Sequence, residues 1–112
     1  MTSKLRLFNT LSRQLETFEP LQGDQVRLYT CGPTIYDFAH IGNYRTFLFE
    51  DVLRRVLSLF GYTVVQVQNL TDVDDRTIQR ANENGVSLRE FTNRFADAFF
   101  EDLATLGVEP AE

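Results

Sequence analysis

Four short stretches of this chain are predicted to form β-strands, and in residues 26–30 apolar and polar positions alternate with the period of two that is typical of a half-buried strand. The stretches cover residues 5–8, 13–18, 26–30 and 62–68. The first two flank Asn9-Thr10-Leu11-Ser12, which we interpret as a hairpin or an irregular connection. A turn containing Pro20, Gly23 and Asp24 leads into the third strand.

The apolar period changes to that of a helix between residues 41 and 60. Its predicted buried face consists of Phe49, Val52, Leu53, Val56 and Phe60. Gly61 suits the end of this helix. Because the helix joins two strands, we predict a βαβ unit in which those strands pair in parallel through a right-handed crossover.

Two more helices are predicted in the last third of the chain. A short helix follows residues 69–75 and runs to Ala81, and Asn84-Gly85 forms a turn. The segment from Ser87 to Glu90 fits a capping box that begins a longer helix, which Gly107 and Pro110 end. Its apolar stripe is Leu88, Phe91, Phe95, Phe99, Leu103 and Leu106.

Two parallel strands with exposed edges are a poor independent fold and leave that stripe without a full partner. We therefore expect an α/β fold in which residues 1–112 form part of one domain, the first half of a larger parallel-sheet domain, with no second domain.

Composition narrows the class of protein. A hydrophobic content of 43% with ten Phe is enough for a core, which argues against disorder. The formal net charge is −5 and Lys4 is the only lysine, so the chain lacks the extended basic surface of a nucleic-acid-binding protein. The single cysteine excludes an internal disulfide, and we find neither a signal peptide nor an apolar run of membrane-spanning length. We expect a cytoplasmic protein.

The side chains best suited to catalysis or metal binding lie in one loop. Cys31 and His40, the only cysteine and the only histidine, both lie between the strand at 26–30 and the helix at 41–60. In α/β proteins a loop that leads from a strand into a helix commonly binds nucleotide phosphates, because the helix start offers free N–H donors and a partial positive charge.

Three blocks of sequence carry a family resemblance. They are Cys31-Gly32-Pro33-Thr34-Ile35-Tyr36-Asp37, then His40-Ile41-Gly42-Asn43, then Asn69-Leu70-Thr71-Asp72-Val73-Asp74-Asp75. In this order and spacing they resemble the amino-terminal part of the cysteinyl-tRNA synthetases, and Asn9-Thr10-Leu11-Ser12-Arg13 resembles that family's leading segment. The resemblance implies a class I aminoacyl-tRNA synthetase with a Rossmann-like catalytic domain. Its partners would be L-cysteine, ATP with Mg²⁺, and tRNA(Cys), and its first product would be cysteinyl-adenylate.

The resemblance also implies roles for individual residues. His40 and Asn43 would be catalytic, and with Gly42 they would bind ATP; Gly32 and Thr71 would bind the substrate cysteine. A histidine that merely caps the helix, and a glycine needed for packing, are the alternatives for His40 and Gly42. Asn43 departs from the commoner family form, which has a second histidine there. An amide still donates a hydrogen bond but carries no charge, so we expect the substitution to be tolerated.

Cys31 resembles a zinc ligand of the family, although an isolated cysteine near a strand end is ordinarily a packing residue. A zinc site needs about three protein ligands beside the substrate. The family's other ligands lie downstream of this segment, so Cys31 is expected to be one ligand of an incomplete Zn²⁺ site. Asp72, Asp74 and Asp75 do not fit an EF-hand, and helix capping is the preferred interpretation. Tyr36 and Asp37 shape either the pocket or only the turn.

Other functions stay open at this stage. The family's second signature, a lysine-rich loop, is absent, so we predict that the 112-residue chain does not aminoacylate tRNA by itself. The alternatives are the related ligase that joins cysteine to an amino-sugar in mycothiol synthesis, and a non-catalytic nucleotide-binding remnant or interaction module. A truncated sequence and a split gene are also compatible with these features.

Overall fold

The computed structural model describes residues 4–112. The expectation that no signal peptide is present rests partly on residues 1–3, which lie outside that range.

The four predicted strands are all present, as two separate two-stranded sheets. Strands β1 (Arg6–Asn9) and β2 (Gln14–Thr17) pair antiparallel with Phe8 opposite Leu15, which is the hairpin of the two alternatives given for this segment. Strands β3 (Gln25–Thr30) and β4 (Thr63–Gln68) pair in parallel over their full length. The parallel pairing predicted from the βαβ pattern is confirmed.

Helix α1 (Ile41–Leu59) connects β3 to β4, as predicted, but it buries a different face. Phe49 and Val52 are 68% and 55% exposed, so their assignment to the buried face is wrong for the described residues. The buried positions are Tyr44, Phe47, Glu50, Asp51 and Leu57. The difference arises because the first half of α1 packs against the last helix as well as against the sheet, which a helical period alone does not indicate.

Helix α2 (Asp75–Asn84) runs three residues beyond the predicted end, and Gly85 ends it in the left-handed conformation. Helix α3 (Leu88–Thr105) begins at Ser87, whose hydroxyl accepts a hydrogen bond from the Glu90 amide at 3.2 Å. The second bond that would complete the predicted capping box, from the Ser87 amide to the Glu90 carboxylate, does not form. The capping box at Ser87 is therefore only half formed.

The apolar stripe of α3 packs into two clusters formed with α1, α2 and the loop after β3. One cluster joins Phe91 and Phe95 to Ile35 and Ala81. The other joins Phe99 and Leu103 to Tyr44 and Phe47 of α1. Leu106, at the end of the predicted stripe, is exposed. Because Ile35 belongs to the loop after β3, the first cluster packs that loop against α3.

A network of polar contacts holds residues 107–112 against α1 and β4. Asp51 accepts hydrogen bonds from the Glu109 amide and from Arg55, at 2.9 and 2.8 Å. The Glu112 amide donates to the Gln66 carbonyl at 3.0 Å. Within residues 4–112, no helix is both long and apolar enough to cross a membrane.

Candidate active site

A cleft of about 340 Å³ lies beside the loop that connects β3 to α1. Its lining includes three of the residues singled out in the sequence, Cys31, Gly32 and Asn43. The other lining residues are Pro33, Thr34, Tyr36, Asp37, Phe38, Ala39, Thr46, Phe47 and Arg76. His40, Gly42 and Thr71 do not line it, so the structure brings only part of the predicted set into one cleft.

The end of β3 is joined to the end of β4 by a close contact between Gly32 and Asn69. The Gly32 amide donates to Oδ1 of Asn69 at 2.6 Å. A Cβ atom on residue 32 would lie 1.8 Å from the Asn69 carbonyl oxygen, which is far inside van der Waals contact. Only glycine fits there without displacement of the backbone. The predicted cysteine-pocket residue Gly32 therefore has a structural requirement of its own.

Thr71 lies one step further along the same edge. The Ile35 amide donates to the Thr71 carbonyl, and the Thr71 amide donates to the Pro33 carbonyl, both at 3.0 Å. These bonds form a parallel bridge between Thr34 and Thr71. The sequence blocks that begin at Cys31 and Asn69 thus meet beyond the carboxyl ends of two parallel strands, which is where open α/β sheets bind ligands.

His40 is the N-cap of α1, and Asn43 completes the cap. Nδ1 of His40 accepts from the Gly42 amide at 3.0 Å, while Oδ1 of Asn43 accepts from the His40 amide at 2.9 Å. The capping alternative for His40 is thus present in the structure. It leaves the second ring nitrogen available, because both side chains are exposed.

Gly42 contributes to the same cap. A Cβ atom on residue 42 would lie 3.2 Å from Nδ1 of His40, a tight contact that would press on the ring. The absence of a side chain at Gly42 therefore serves the histidine as well as any ligand that approaches the helix start.

Cys31 is an exposed free thiol at the cleft. Within residues 4–112 no group of three or more His, Cys, Asp or Glu side chains is arranged to hold a metal ion. One thiolate does not make a zinc site. The described residues therefore do not fit a Zn²⁺ ion on their own.

Arg76 was not singled out in the sequence, yet it is the one cationic side chain among the described residues that line the cleft. Its guanidinium carbon lies 4.6 Å from the centroid of the Tyr36 ring, which is within the range of a cation–π contact. Its Nη2 donates to the hydroxyl of Thr34 at 3.2 Å and to Asp74 at 3.1 Å. No local sequence signal marked Arg76, because its contacts with Thr34 and Tyr36 join segments about 40 residues apart in the chain.

The acidic block after β4 serves the start of α2. Asp74 is the N-cap: its carboxylate accepts from the Thr77 amide at 2.9 Å, and the Thr77 hydroxyl accepts from the Asp74 amide at 2.9 Å. The backbone hydrogen bond from Thr77, followed by smaller contributions from Arg76, lowers the pKa of Asp74 below its usual 3.8. The capping interpretation of this block is confirmed for Asp74.

A buried carboxyl group of α1 contacts the last residue of β4. Glu50 of α1 is 8% exposed, and the Gln68 side chain donates to its Oε2 at 3.1 Å. Burial raises the pKa of Glu50 above its usual 4.5, against the opposing effect of hydrogen bonds from Thr30 and Gln68. Glu50 was not among the residues predicted for the buried face of α1, so its burial was missed.

A parallel β3–α1–β4 unit, with the cysteine-containing loop at the carboxyl end of β3, is the arrangement implied for a class I aminoacyl-tRNA synthetase. Residues 17–112 match the family model described as the catalytic domain of tRNA synthetases class I (C). The chain belongs to this family.

Similar proteins of known name agree with that assignment. The chain is 55% identical over 108 residues to a cysteine--tRNA ligase of Protochlamydia amoebophila. The aligned residues make up 96% of this chain and 23% of that relative. The chain is 56% identical over 108 residues to that of Chlamydia abortus, covering 96% and 22%. It is 51% identical over 104 residues to that of Brachyspira hyodysenteriae, covering 93% and 22%. The chain thus spans less than a quarter of the length of these relatives.

Proposed function

We propose that this chain is the amino-terminal part of the catalytic domain of a cysteine--tRNA ligase, in which β3, α1 and β4 form the first βαβ unit of a Rossmann-like fold. The observation that carries the proposal is the meeting of the Cys31 and Asn69 blocks at one sheet edge, beside the N-terminus of α1. High identity to cysteine--tRNA ligases over nearly the whole chain supports the choice of amino acid.

The proposed reaction has two steps. A carboxylate oxygen of L-cysteine attacks the α-phosphorus of ATP, bound with Mg²⁺, and the bond to the β-phosphate breaks to release pyrophosphate. The terminal ribose hydroxyl of tRNA(Cys) then attacks the carbonyl carbon of cysteinyl-adenylate and AMP leaves. Such chemistry depends on positioning and on charge stabilisation more than on covalent help.

We assign ATP to the start of α1 and cysteine to the joined ends of β3 and β4, next to the cleft. His40, Gly42 and Asn43 are proposed to face the phosphates, since backbone N–H groups and the positive end of the helix dipole favour an anion there. Gly32 and Thr71 are proposed to contact cysteine. Cys31 is proposed as one thiolate ligand of a Zn²⁺ site that needs further ligands from outside residues 4–112.

A chimaeric enzyme tests the proposal. This chain would replace the matching 108 residues of the Protochlamydia amoebophila ligase, and cysteine-dependent ATP–pyrophosphate exchange would be measured. We expect exchange in the chimaera and a loss of tenfold or more in Cys31→Ser, with exposed Ser58→Ala as the matched control. A correctly folded chimaera that shows no cysteine-dependent exchange of pyrophosphate into ATP would contradict the proposal.

A further inference from the structure

The reciprocal cap at the start of α1 determines which atoms of His40 carry protons. Both donors in the cap are backbone amides, Gly42 N and His40 N, and a backbone N–H can only donate. The ring nitrogen 3.0 Å from Gly42 must therefore hold a lone pair. In the same way, the side-chain atom of Asn43 that is 2.9 Å from the His40 amide must be its oxygen.

The chemistry of the free atoms follows from this assignment. A neutral imidazole carries a single N–H, so with Nδ1 as the acceptor the proton of His40 lies on Nε2. An imidazolium is protonated on both nitrogens and could not accept from Gly42.

Asn43 keeps two donors free. Its oxygen is committed to the His40 amide, and within residues 4–112 its NH₂ group makes no hydrogen bond. Asn43 also lines the cleft, whereas His40 does not. An asparagine here thus supports the His40 backbone with one end and offers neutral N–H groups with the other.

We propose that Asn43 is a positioning residue: by accepting from the His40 amide it holds the cap in which Nδ1 of His40 accepts from Gly42, and it so presents Nε2 of His40, with its proton, to a ligand at the helix start. The proposed function supplies only the identity of that ligand, the phosphate oxygens of ATP. The tautomer and the cap belong to the chain itself.

The second capping box of the chain supplies matched variants. At the same position of α2, the hydroxyl of Thr77 accepts from the amide of the N-cap residue Asp74 at 2.9 Å. Asn43→Thr keeps such an acceptor but removes the amide donors. Asn43→Val has nearly the shape of threonine and lacks the acceptor, so the two variants separate capping from shape.

Nitrogen-15 NMR of the 112-residue chain tests the inference directly, because its single histidine gives only two imidazole nitrogen signals. We expect a proton on Nε2, and a coupling across the hydrogen bond between Nδ1 and the Gly42 nitrogen. Both should persist in Asn43→Thr, and Asn43→Val should lose the coupling and show mixed tautomers. A proton on Nδ1 in the wild type, or an unchanged coupling in Asn43→Val, overturns the inference.

Adenylate formation by the chimaera gives the second measurement. We expect kcat to fall roughly tenfold further in Asn43→Val than in Asn43→Thr, with similar KM for cysteine, as the loss of one hydrogen bond predicts. Equal losses in the two variants would mean that the acceptor at residue 43 does not position His40, which overturns the positioning role. An inactive chimaera together with the expected tautomer would contradict the proposed function and leave this inference standing.

Discussion

Gly32 and Asn69 touch twice, through a 2.6 Å hydrogen bond from the Gly32 amide and through the close approach of the Asn69 carbonyl to the Gly32 Cα. They are 37 residues apart in the chain and follow the ends of two parallel strands. This contact sets the distance between the loop that begins at Cys31 and the segment that contains Thr71.

Gly32→Ala is expected to destabilise the fold strongly. Its Cβ would lie 1.8 Å from a backbone oxygen, so the strand ends must separate. We expect the free energy of unfolding to fall by about 3 kcal/mol or more, at or above the upper range for overpacking. Urea unfolding of the 112-residue chain measures this, with Ser58→Ala on the exposed face of α1 as the control. A variant as stable as the control would mean that the two backbones are not in contact.

The pH dependence of stability is expected to report the cap of α2. Because the pKa of Asp74 is lowered in the folded protein, its contribution is present above the usual value of 3.8 and is lost as pH falls through the folded pKa. Asparagine is an equally good N-cap without a charge. Asp74→Asn should therefore lose less stability than the wild type in acid unfolding, whereas the exposed Asp72→Asn should follow the wild type. Parallel acid curves for Asp74→Asn and the wild type would contradict the capping charge.

Local periodicity and residue chemistry were enough to predict the strands, the parallel pairing and the approximate bounds of the helices. They were not enough for the buried face of α1. Phe49 and Val52 are more hydrophobic than Glu50 and Asp51, yet the two carboxylates are buried because partners from the sheet and from residues 107–112 satisfy them. Those partners come from distant parts of the chain, and no helical pattern encodes them.

The candidate site divides in the same way. The position of Cys31 and His40 between a strand and a helix follows from the order of elements, so the loop could be found from the sequence. The contact of Gly32 with Asn69 and the hydrogen bond from Arg76 to Thr34 join segments that are far apart in the chain, and only the folded backbone brings them together. His40 and Asn43 are close in the chain, yet their reciprocal bonds require a known helix start.

Replacing the buried Glu50 by glutamine is expected to stabilise the chain at neutral pH. Burial raises the pKa of Glu50, so its contribution to stability is full below the usual 4.5 and is lost as pH rises through the folded pKa. Glutamine stays neutral and can still accept from Gln68. The advantage of Glu50→Gln in unfolding free energy should grow as pH rises above the usual pKa of 4.5 and level off once pH exceeds the raised pKa of the folded protein. Exposed Glu101→Gln, which makes the same change in charge, should show no such growth; a pH-independent difference for Glu50→Gln would contradict the prediction.

The hydrogen bond from Tyr44 to Asp102 should contribute to the docking of α3 on α1. The hydroxyl lies 2.9 Å from the carboxylate, and burial together with this neighbour raises the pKa of Tyr44 to about 12. Tyr44→Phe is expected to lower the unfolding free energy by about 1 kcal/mol at neutral pH. Because the folded pKa is raised, the wild type loses stability as pH rises from the usual 10.0 towards 12, and the variant does not. Thermal unfolding at neutral pH and at about pH 11, with exposed Tyr29→Phe as the control, should show the two proteins converging; a constant difference would contradict this.

The 112-residue chain alone is expected to form no cysteinyl-adenylate and to charge no tRNA(Cys). Among the described residues that line the cleft, Arg76 is the only cation, and its guanidinium already contacts Asp74, Thr34 and Tyr36. The negative charge that develops on the phosphates in the transition state thus has little to stabilise it beyond the start of α1. Mass-spectrometric cysteine charging and pyrophosphate exchange would be measured for the isolated chain, with the Protochlamydia chimaera as the positive control. Cysteine-dependent turnover by the isolated chain would show that residues 1–112 already contain a sufficient catalytic site.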